Sequence, residues 1–376
     1  MKIYLVGGAV RDRLLGLEVK ERDWVVVGSC EGEMLERGYL RADATFPVFL
    51  HPSSGEEYAL ARRETKTGPG YKGFRVDAAA DVTLEEDLRR RDLTINAIAE
   101  DDQGRLVDPF DGCGDLRAGR LHHITPAFSE DPVRLLRAAR FEATLGRWGF
   151  FIAQATHALL KEMAASGELE TLMPQRLWRE MRLALLADQP WRFFEVLDQC
   201  NALRPLLPAL VEPLQQLPGR SLGDERAPLA ALKRAAVLSA DPAVRFAAVM
   251  FDAWRTHPGC LDRLPVEREP HDLLALGARL EDALRAPLEG DAGRVLAVLE
   301  QSRALQRPER LQALLQLLSA VRPEGARRAV ALYSRALEAA AAVTARSLSG
   351  GGLRGAALGA ELRRLRAAAV ARVIGA

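Results

Sequence analysis

After about Ser129 the chain carries no further β-strand signal. Before that point, short β-branched and aromatic runs alternate with short helical patterns and turn dipeptides. Beyond it the sequence is rich in Leu, Ala, Arg and Glu at helical spacing, broken by prolines such as Pro205, Pro208, Pro213, Pro218, Pro265, Pro270 and Pro323. This division predicts a small α+β head followed by an extended all-helical body. At 376 residues the chain has room for about two and a half domains of ordinary size.

Within the head, Lys2–Val6 reads as a strand ending at Gly7-Gly8, and Ala9–Leu17 as a short helix. Asp23–Val27 is a second strand closed by Gly28. Pro47–His51 and Glu57–Ala61 are two more, joined by the turn Pro52-Ser53-Ser54-Gly55. Thr65–Gly73 is expected to be a polar, glycine-rich loop, and Leu84–Ala99 a helical stretch. Gly104–Val107 then leads into the turn Asp108-Pro109-Phe110-Asp111-Gly112. A last basic helix is expected near Glu361–Val373, after the glycine-rich patch Ser347–Gly352.

Composition excludes several classes. Apolar residues are 48% and charged residues 27%, which is incompatible with wholesale disorder. No apolar run approaches the roughly 18 residues of a membrane span, and Met1–Gly8 is too short and glycine-ended for a signal peptide. Cys30, Cys113, Cys200 and Cys260 form no CxxC pair and read as free thiols of a cytosolic protein. The formal net charge is only +1, but Val321–Ala376 holds ten Arg and three acids, a local +7. That tail is equally readable as a solvated helix face and as an RNA-backbone surface.

Four constellations carry chemistry. Gly7-Gly8, between a strand and a helix start, lets the backbone approach a bulky anion, with Arg11 one turn further on; a plain tight turn is the bland alternative. Glu21 and Asp23 are two apart at a strand start, where period-two geometry puts both carboxylates on one face. Paired hard oxygens suit Mg²⁺ that also holds phosphates. Arg89-Arg90-Arg91-Asp92 cannot all point one way on a helix, so at least one guanidinium must face inward onto an anion; Asn96, four residues after Asp92, shares its face. Finally, Glu130-Asp131-Pro132-Val133-Arg134 opens a helix, with Asp131 a good N-cap. With Arg134 at zero and ~100° per residue, Arg137 and Arg140 fall at about 300° and 240°, while Leu135, Leu136, Ala138 and Ala139 occupy about 40–200°.

These residues stand in Leu5-Val6-Gly7-Gly8-Ala9-Val10-Arg11-Asp12, Glu21-Arg22-Asp23-Trp24, Arg90-Arg91-Asp92-Leu93-Thr94-Ile95-Asn96-Ala97, Asp108-Pro109-Phe110-Asp111-Gly112 and Glu130–Phe141. In order and spacing the five motifs resemble the bacterial class II tRNA nucleotidyltransferases, the CCA-adding enzymes. Pro174-Gln175-Arg176 with Glu180 looks like their next helical motif, and Gly352-Leu353-Arg354-Gly355 with Leu362-Arg363-Arg364 like their tail.

The resemblance implies a nucleotidyltransferase head of the DNA polymerase beta type (1–141), a helical neck (142–210), a helical body (211–342) and a basic tail (343–376). It also implies that Gly8 and Arg11 contact the triphosphate and that Glu21 and Asp23 hold Mg²⁺. Arg91, Arg137 and Arg140 would contact the nucleotide, and Asp131 with Arg134 would select the base. A carboxylate accepting from an amino group, beside an arginine donating to a ring nitrogen, suits cytosine and adenine and leaves uracil and guanine unpaired. Loss of such buried bonds can discriminate by roughly 10⁴. The implied substrates are CTP, ATP and the acceptor arm and 3′ end of tRNA.

The chain departs from the family pattern in three places. Glu21 stands where Asp is usual, and Gln175 where Glu is usual. Phe251 replaces the histidine that an HD phosphohydrolase module of the body would carry; among the later histidines only His257 and His271 exist, so no HD-type metal centre is expected. Glu57 is a candidate third carboxylate. The rival readings are a poly(A) polymerase sharing the same head, although those tend to carry long basic extensions, and a non-catalytic RNA-binding relative.

Overall fold

The structure is a computed structural model describing residues 1–43, 46–68, 73–215, 227–285, 291–324, 326–348 and 354–375. It divides into two compact units, Met1–Leu206 and Leu207–Ala376.

The first unit begins with β1 (Lys2–Val6), α1 (Gly8–Leu14), β2 (Asp23–Val27), α2 (Glu31–Glu36), β3 (Leu40–Arg41), β4 (Val48–Leu50), β5 (Glu57–Leu60), β6 (Arg63–Lys66) and β7 (Phe74–Asp77). It continues with α3 (Leu84–Arg89), β8 (Ala99–Glu100), β9 (Leu106–Val107), α4 (Gly112–Ala118), β10 (Arg120–Leu121), α5 (Val133–Leu145), β11 (Phe151–Ile152), α6 (Gln154–Ala165), α7 (Pro174–Leu185), α8 (Trp191–Gln199) and α9 (Leu203–Leu206). Seven strands form one mixed sheet in the order β3-β4-β5-β2-β1-β8-β9. Only β2 and β5 run parallel; the other neighbours are antiparallel. Alternation along β2 supplies both cores: Val25 packs with Val6, Leu88 and Ala97 on one face, Val26 with Met34, Phe49 and Leu60 on the other.

Three expectations are corrected. The stretch Leu84–Ala99 is not one helix. It starts as expected, at a capping box in which Thr83 and Glu86 satisfy each other's main-chain N–H groups, but α3 stops at Arg89. The Asp92 carboxylate takes the Leu93 N–H at 2.7 Å, competing with helical bonding. Thr94–Asn96 makes one 3₁₀ turn, and Ala99–Glu100 joins β1 as a strand. Thr65–Gly73 is not all loop: β6 and β7 pair from Arg63↔Asp77 to Lys66↔Phe74, with residues 69–72 outside the described set. And one strand lies beyond Ser129, where β11 pairs in parallel with β10.

The second unit comprises α10 (Pro208–Gln215), α11 (Ala227–Leu238), α12 (Pro242–Thr256), α13 (Arg268–Arg285), α14 (Ala292–Gln301), α15 (Pro308–Val321), α16 (Ala326–Ala341) and α17 (Gly355–Ile374). Asp241 and Asp291 cap α12 and α14 through their side chains. Helix α12 is buried along Ala243–Phe251, including Phe246 and Phe251, and forms the centre of this unit. The four cysteines are free. Among the described residues, no helix is long and apolar enough to cross a membrane. Pro218, Gly352 and Leu353, singled out above, lie outside the described residues.

Candidate active site

The site starts at the turn between β1 and α1. Gly7 sits at φ 73°, a left-handed conformation, and a Cβ there would lie 3.1 Å from Nη1 of Arg91. Glycine is therefore needed at 7 both for conformation and for the approach of Arg91. A Cβ at Gly8 would meet the Arg11 guanidinium only at ordinary contact distance, 3.4 Å. Arg11 is held by Asp12 (Nε–Oδ1 2.8 Å) and by Oδ1 of Asn96 (Nη1, 2.7 Å).

The carboxylates lie at the same end of the sheet. Asp23 is opposite Val6, the residue preceding the turn, and beside Glu57 on the parallel strand β5. Paired residues project to one side, so Asp23 and Glu57 share a face. Glu21 precedes β2, so strand alternation does not fix its direction as the sequence suggested. Its charge still reaches Asp23. Partial desolvation raises the Asp23 carboxyl above its usual value, Arg91 opposes the shift, and Glu21 adds to it. Glu21, Asp23 and Glu57 are all exposed. Among the described residues no three His, Cys, Asp or Glu side chains gather as a metal-ligand cluster.

The arginine run resolves as its charge requires. Arg89 stays at the surface with Glu85, while Arg90 turns inward to the buried Asp87 (2.7 Å) and to Glu64 (3.0 Å). Arg91 reaches Oδ2 of Asp87 at 3.2 Å, and its buried Nε has no partner among the described residues. Burial pushes the Asp87 carboxyl up, but Arg90 and Arg91 outweigh it and hold the acid below its ordinary value.

Asp92 is the hub of the next layer. Its Oδ1 accepts from Asn96 (2.8 Å) and its Oδ2 from Nε of Arg137 (2.7 Å). Asn96 accepts in turn from Arg11, so a hydrogen-bonded chain runs Arg11–Asn96–Asp92–Arg137. Asp92 and Asn96 meet as expected, but across a 3₁₀ turn and not on a helix face. Burial alone would raise the Asp92 carboxyl; Arg137, Asn96 and the Leu93 N–H overcome it and hold it far below the usual carboxylate range.

Helix α5 buries Leu135, Leu136, Ala138 and Ala139 completely, and leaves Arg134, Arg137 and Arg140 on the other arc, as the helical projection required. Asp131 is extended, accepting the Val133 N–H on Oδ1 at 3.1 Å and the Arg134 N–H on its main-chain oxygen. Its carboxylate is also clasped by both terminal nitrogens of Arg176, each at 2.9 Å. These three bonds leave about one of its four lone-pair sites open. Arg134 donates to the carbonyls of Ala127 (3.0 Å) and Arg90 (2.7 Å), keeping three of its five N–H groups in hand. Arg140 binds the buried Glu180 at 2.6 Å. Thus α7 meets this segment twice, Arg176 binding Asp131 just before α5 and Glu180 binding Arg140 on it. The motif that carries this pair is visible in the sequence, but its targets are not; the four-residue spacing on one helix face was the available signal.

Comparison with known proteins decides the family. Residues 3–122 match the poly A polymerase head domain and residues 149–212 the probable RNA and SrmB-binding site of polymerase A. The chain is 44% identical, over all of its length and 99% of the relative's, to a protein named multifunctional CCA protein from Nitrosococcus oceani. It is 47% identical to one of the same name from Thioalkalivibrio sulfidiphilus, covering 84% of this chain and 83% of that one. The chain belongs to the CCA-adding enzymes. Its fold agrees: a tRNA nucleotidyltransferase solved with a primer tRNA and an incoming ATP analog superposes at TM-score 0.64 with 26% identity, over 90% of this chain and 95% of that one. A CCA-adding enzyme in its apo form II superposes at TM-score 0.68 over 98% and 88%. These relatives do not favour the poly(A) polymerase alternative, whose head is common to both.

The body of this CCA-adding enzyme carries an ion-paired cluster at the position where the sequence lacks an HD histidine. Phe251 is buried, and a Cβ on Gly277 would come within 3.1 Å of its ring. Beside it Arg322 binds Asp252 at 2.7 Å and Glu281 at 2.8 Å, with its guanidinium 5.5 Å from the Phe251 centroid. His271 stacks edge-on against Trp254, and His257 ends α12.

Proposed function

We propose that this chain adds and repairs the 3′-terminal CCA of tRNA, transferring CMP and AMP from CTP and ATP and releasing pyrophosphate. The supporting observation is that Arg11, at the Gly7-Gly8 turn, is joined to Arg137 of α5 through Asn96 and Asp92, with Arg91 held by Asp87 beside the same turn, at the end of the sheet where Asp23 is exposed. Glu21 and Asp23 are the residues that would hold Mg²⁺; the ion supplies charge stabilisation for in-line transfer at the α-phosphate. Two accessible carboxylates, close enough for one to raise the pKa of the other, fit that requirement.

Gly8, Arg11, Arg91, Arg137 and Arg140 take the triphosphate and sugar. Asp131 uses its open lone pair for the amino group of cytosine or adenine, and Arg134 donates to the adjacent ring nitrogen. Arg176 holds Asp131 as an acceptor in a fixed orientation, so a ring N–H of uracil or guanine meets another donor and goes unpaired. No covalent nucleophile is required. The 3′-hydroxyl of tRNA attacks, and the basic helices downstream bind the RNA backbone without reading it. Such a reaction belongs in the cytoplasm, with its substrate.

The test uses tRNA lacking its 3′ end, Mg²⁺ and each labelled nucleoside triphosphate in turn. Incorporation of C and A that stops after CCA supports the proposal. Open-ended A tails, or binding with no incorporation, would overturn it.

A further inference from the structure

Phe141 stands on the wrong side of its helix. With Arg134 at zero it falls at about 340°, inside the arginine arc and away from the apolar one. Yet it is 5% exposed. Three guanidinium groups converge on its ring: Arg140 at 4.4 Å from the centroid, Arg11 at 5.1 Å and Arg137 at 5.6 Å. Each is also tied to its own carboxylate, Glu180, Asp12 and Asp92 respectively. Three like charges so close together repel; Asn96 and Asp92 tie Arg11 to Arg137, whereas Arg140 is held apart from them by Glu180. The ring supplies the one site shared by all three, a quadrupole that attracts each cation, most strongly where water is excluded.

We propose that Phe141 is a positioning residue that gathers Arg11, Arg137 and Arg140 into one anion-binding set for the nucleoside triphosphate. The inference rests on the assignment of those arginines to the nucleotide. Phe141 itself touches no substrate. Its loss should weaken the grip on CTP and ATP alike. The selecting residues Asp131 and Arg134 are anchored by Arg176 and by main-chain carbonyls, so base choice should not depend on the ring.

Steady-state kinetics of Phe141→Leu and Phe141→Tyr on tRNA lacking its 3′ end test the proposal. Phe141→Leu keeps an apolar side chain but has no π face. Its KM for CTP and for ATP should rise in parallel by about five- to thirty-fold, the range one or two partly desolvated cation–π contacts supply. The KM for tRNA and the exclusion of UTP and GTP should be unchanged. Phe141→Tyr should restore the nucleotide KM to near wild type.

Arg11→Ala and Arg137→Ala are run alongside. If they raise the nucleotide KM while Phe141→Leu does not, the ring is packing only and the proposal fails. If none of them moves it, the assignment of the arginines to the nucleotide fails, and the proposal with it. Should Phe141→Leu not fold, pentafluorophenylalanine placed at 141 keeps the shape and reverses the quadrupole. A raised nucleotide KM then supports the ring's role, and an unchanged one overturns it.

Discussion

Asp23 and Glu21 illustrate how one side chain's direction can be separated from its chemistry. Asp23→Ala should abolish nucleotide incorporation while leaving tRNA binding nearly intact, because it removes an exposed carboxylate proposed to hold the metal and no RNA contact. Parallel turnover and filter-binding assays check this; near-normal turnover would refute the metal assignment. Glu21→Asp should keep or raise activity, since the shorter acid is the family's usual residue at this position. Asp92 gives a pH prediction. Its folded pKa lies below the ordinary carboxylate value of about 4, so its ion pair stabilises fully above that value and is lost as the pH falls below it. Melting temperature should be flat with pH until about 5 and then drop. Asp92→Asn should be less stable than wild type at neutral pH, by roughly 2 kcal/mol because the buried charged acceptor of Arg137, Asn96 and the Leu93 N–H is lost, and the gap should narrow in acid.

Helices α5, α7 and α17 (Gly355–Ile374) show how a basic face can mean different things. On α5 the arginines are nearly all spoken for by carboxylates and carbonyls, as a preorganised site requires. Arg176→Met on α7 should free Asp131 from its bidentate clasp. The kcat/KM for CTP should fall by about ten-fold while that for UTP falls less, consistent with loss of one charged bidentate contact; single-nucleotide competition assays measure the ratio. On α17 the basic residues divide. Arg366 donates to the carbonyl of Val343 after α16 and is part of the fold. Arg363 and Arg364 pair with Glu300 and Glu361 at exposed positions, and Arg354 is exposed at the helix start. The informative variant is therefore Arg354, Arg363 and Arg364 together to Ala. The KM for tRNA should rise, and the salt slope of binding should flatten by roughly 0.7–0.9 for each phosphate that is no longer neutralised. An unchanged slope would mean these arginines only solvate the helix.

The chain divides at Leu206 into two units of different character. The motifs that name a chemistry are concentrated in the first unit, whereas the second is a helical assembly built on α12. The head–neck boundary expected at 141 falls inside α5, which runs from Val133 to Leu145 without interruption. In the second unit Arg322 lies between Asp252 and Glu281. Arg322→Leu should destabilise this unit by about 2 kcal/mol, between the effects of breaking an exposed and a buried ion pair, as read by chemical denaturation. Nucleotide addition at low temperature should be much less affected. No Ni²⁺- or Mn²⁺-stimulated hydrolysis of 2′,3′-cyclic phosphates should be detectable. Activity that survived His271→Ala and His257→Ala would contradict this.

Local signals were sufficient wherever the physics is local. Strands β1 and β2 begin and end where their β-branched runs meet Gly7 and Gly28, and the α5 projection separated Leu135, Leu136, Ala138 and Ala139 from the arginines, though it put the buried Val133 and Phe141 in the basic arc. Motif order carried the family, because five ordered patterns together are far more specific than any one. The rest depended on residues distant in the chain. Asp92 broke a helix that its neighbours' periodicity favoured, because its carboxylate gains more from Leu93, Asn96 and Arg137 than a further helical turn would give. The partner of Asp131 lies 45 residues away in sequence. Phe141 looked like an ordinary apolar residue until α1 brought Arg11 onto its ring. Periodicity and capping report on contacts within one element. Which buried charge meets which partner is settled only when elements pack, because desolvation makes an unpartnered charge costly and the fold must bring its counterion to it.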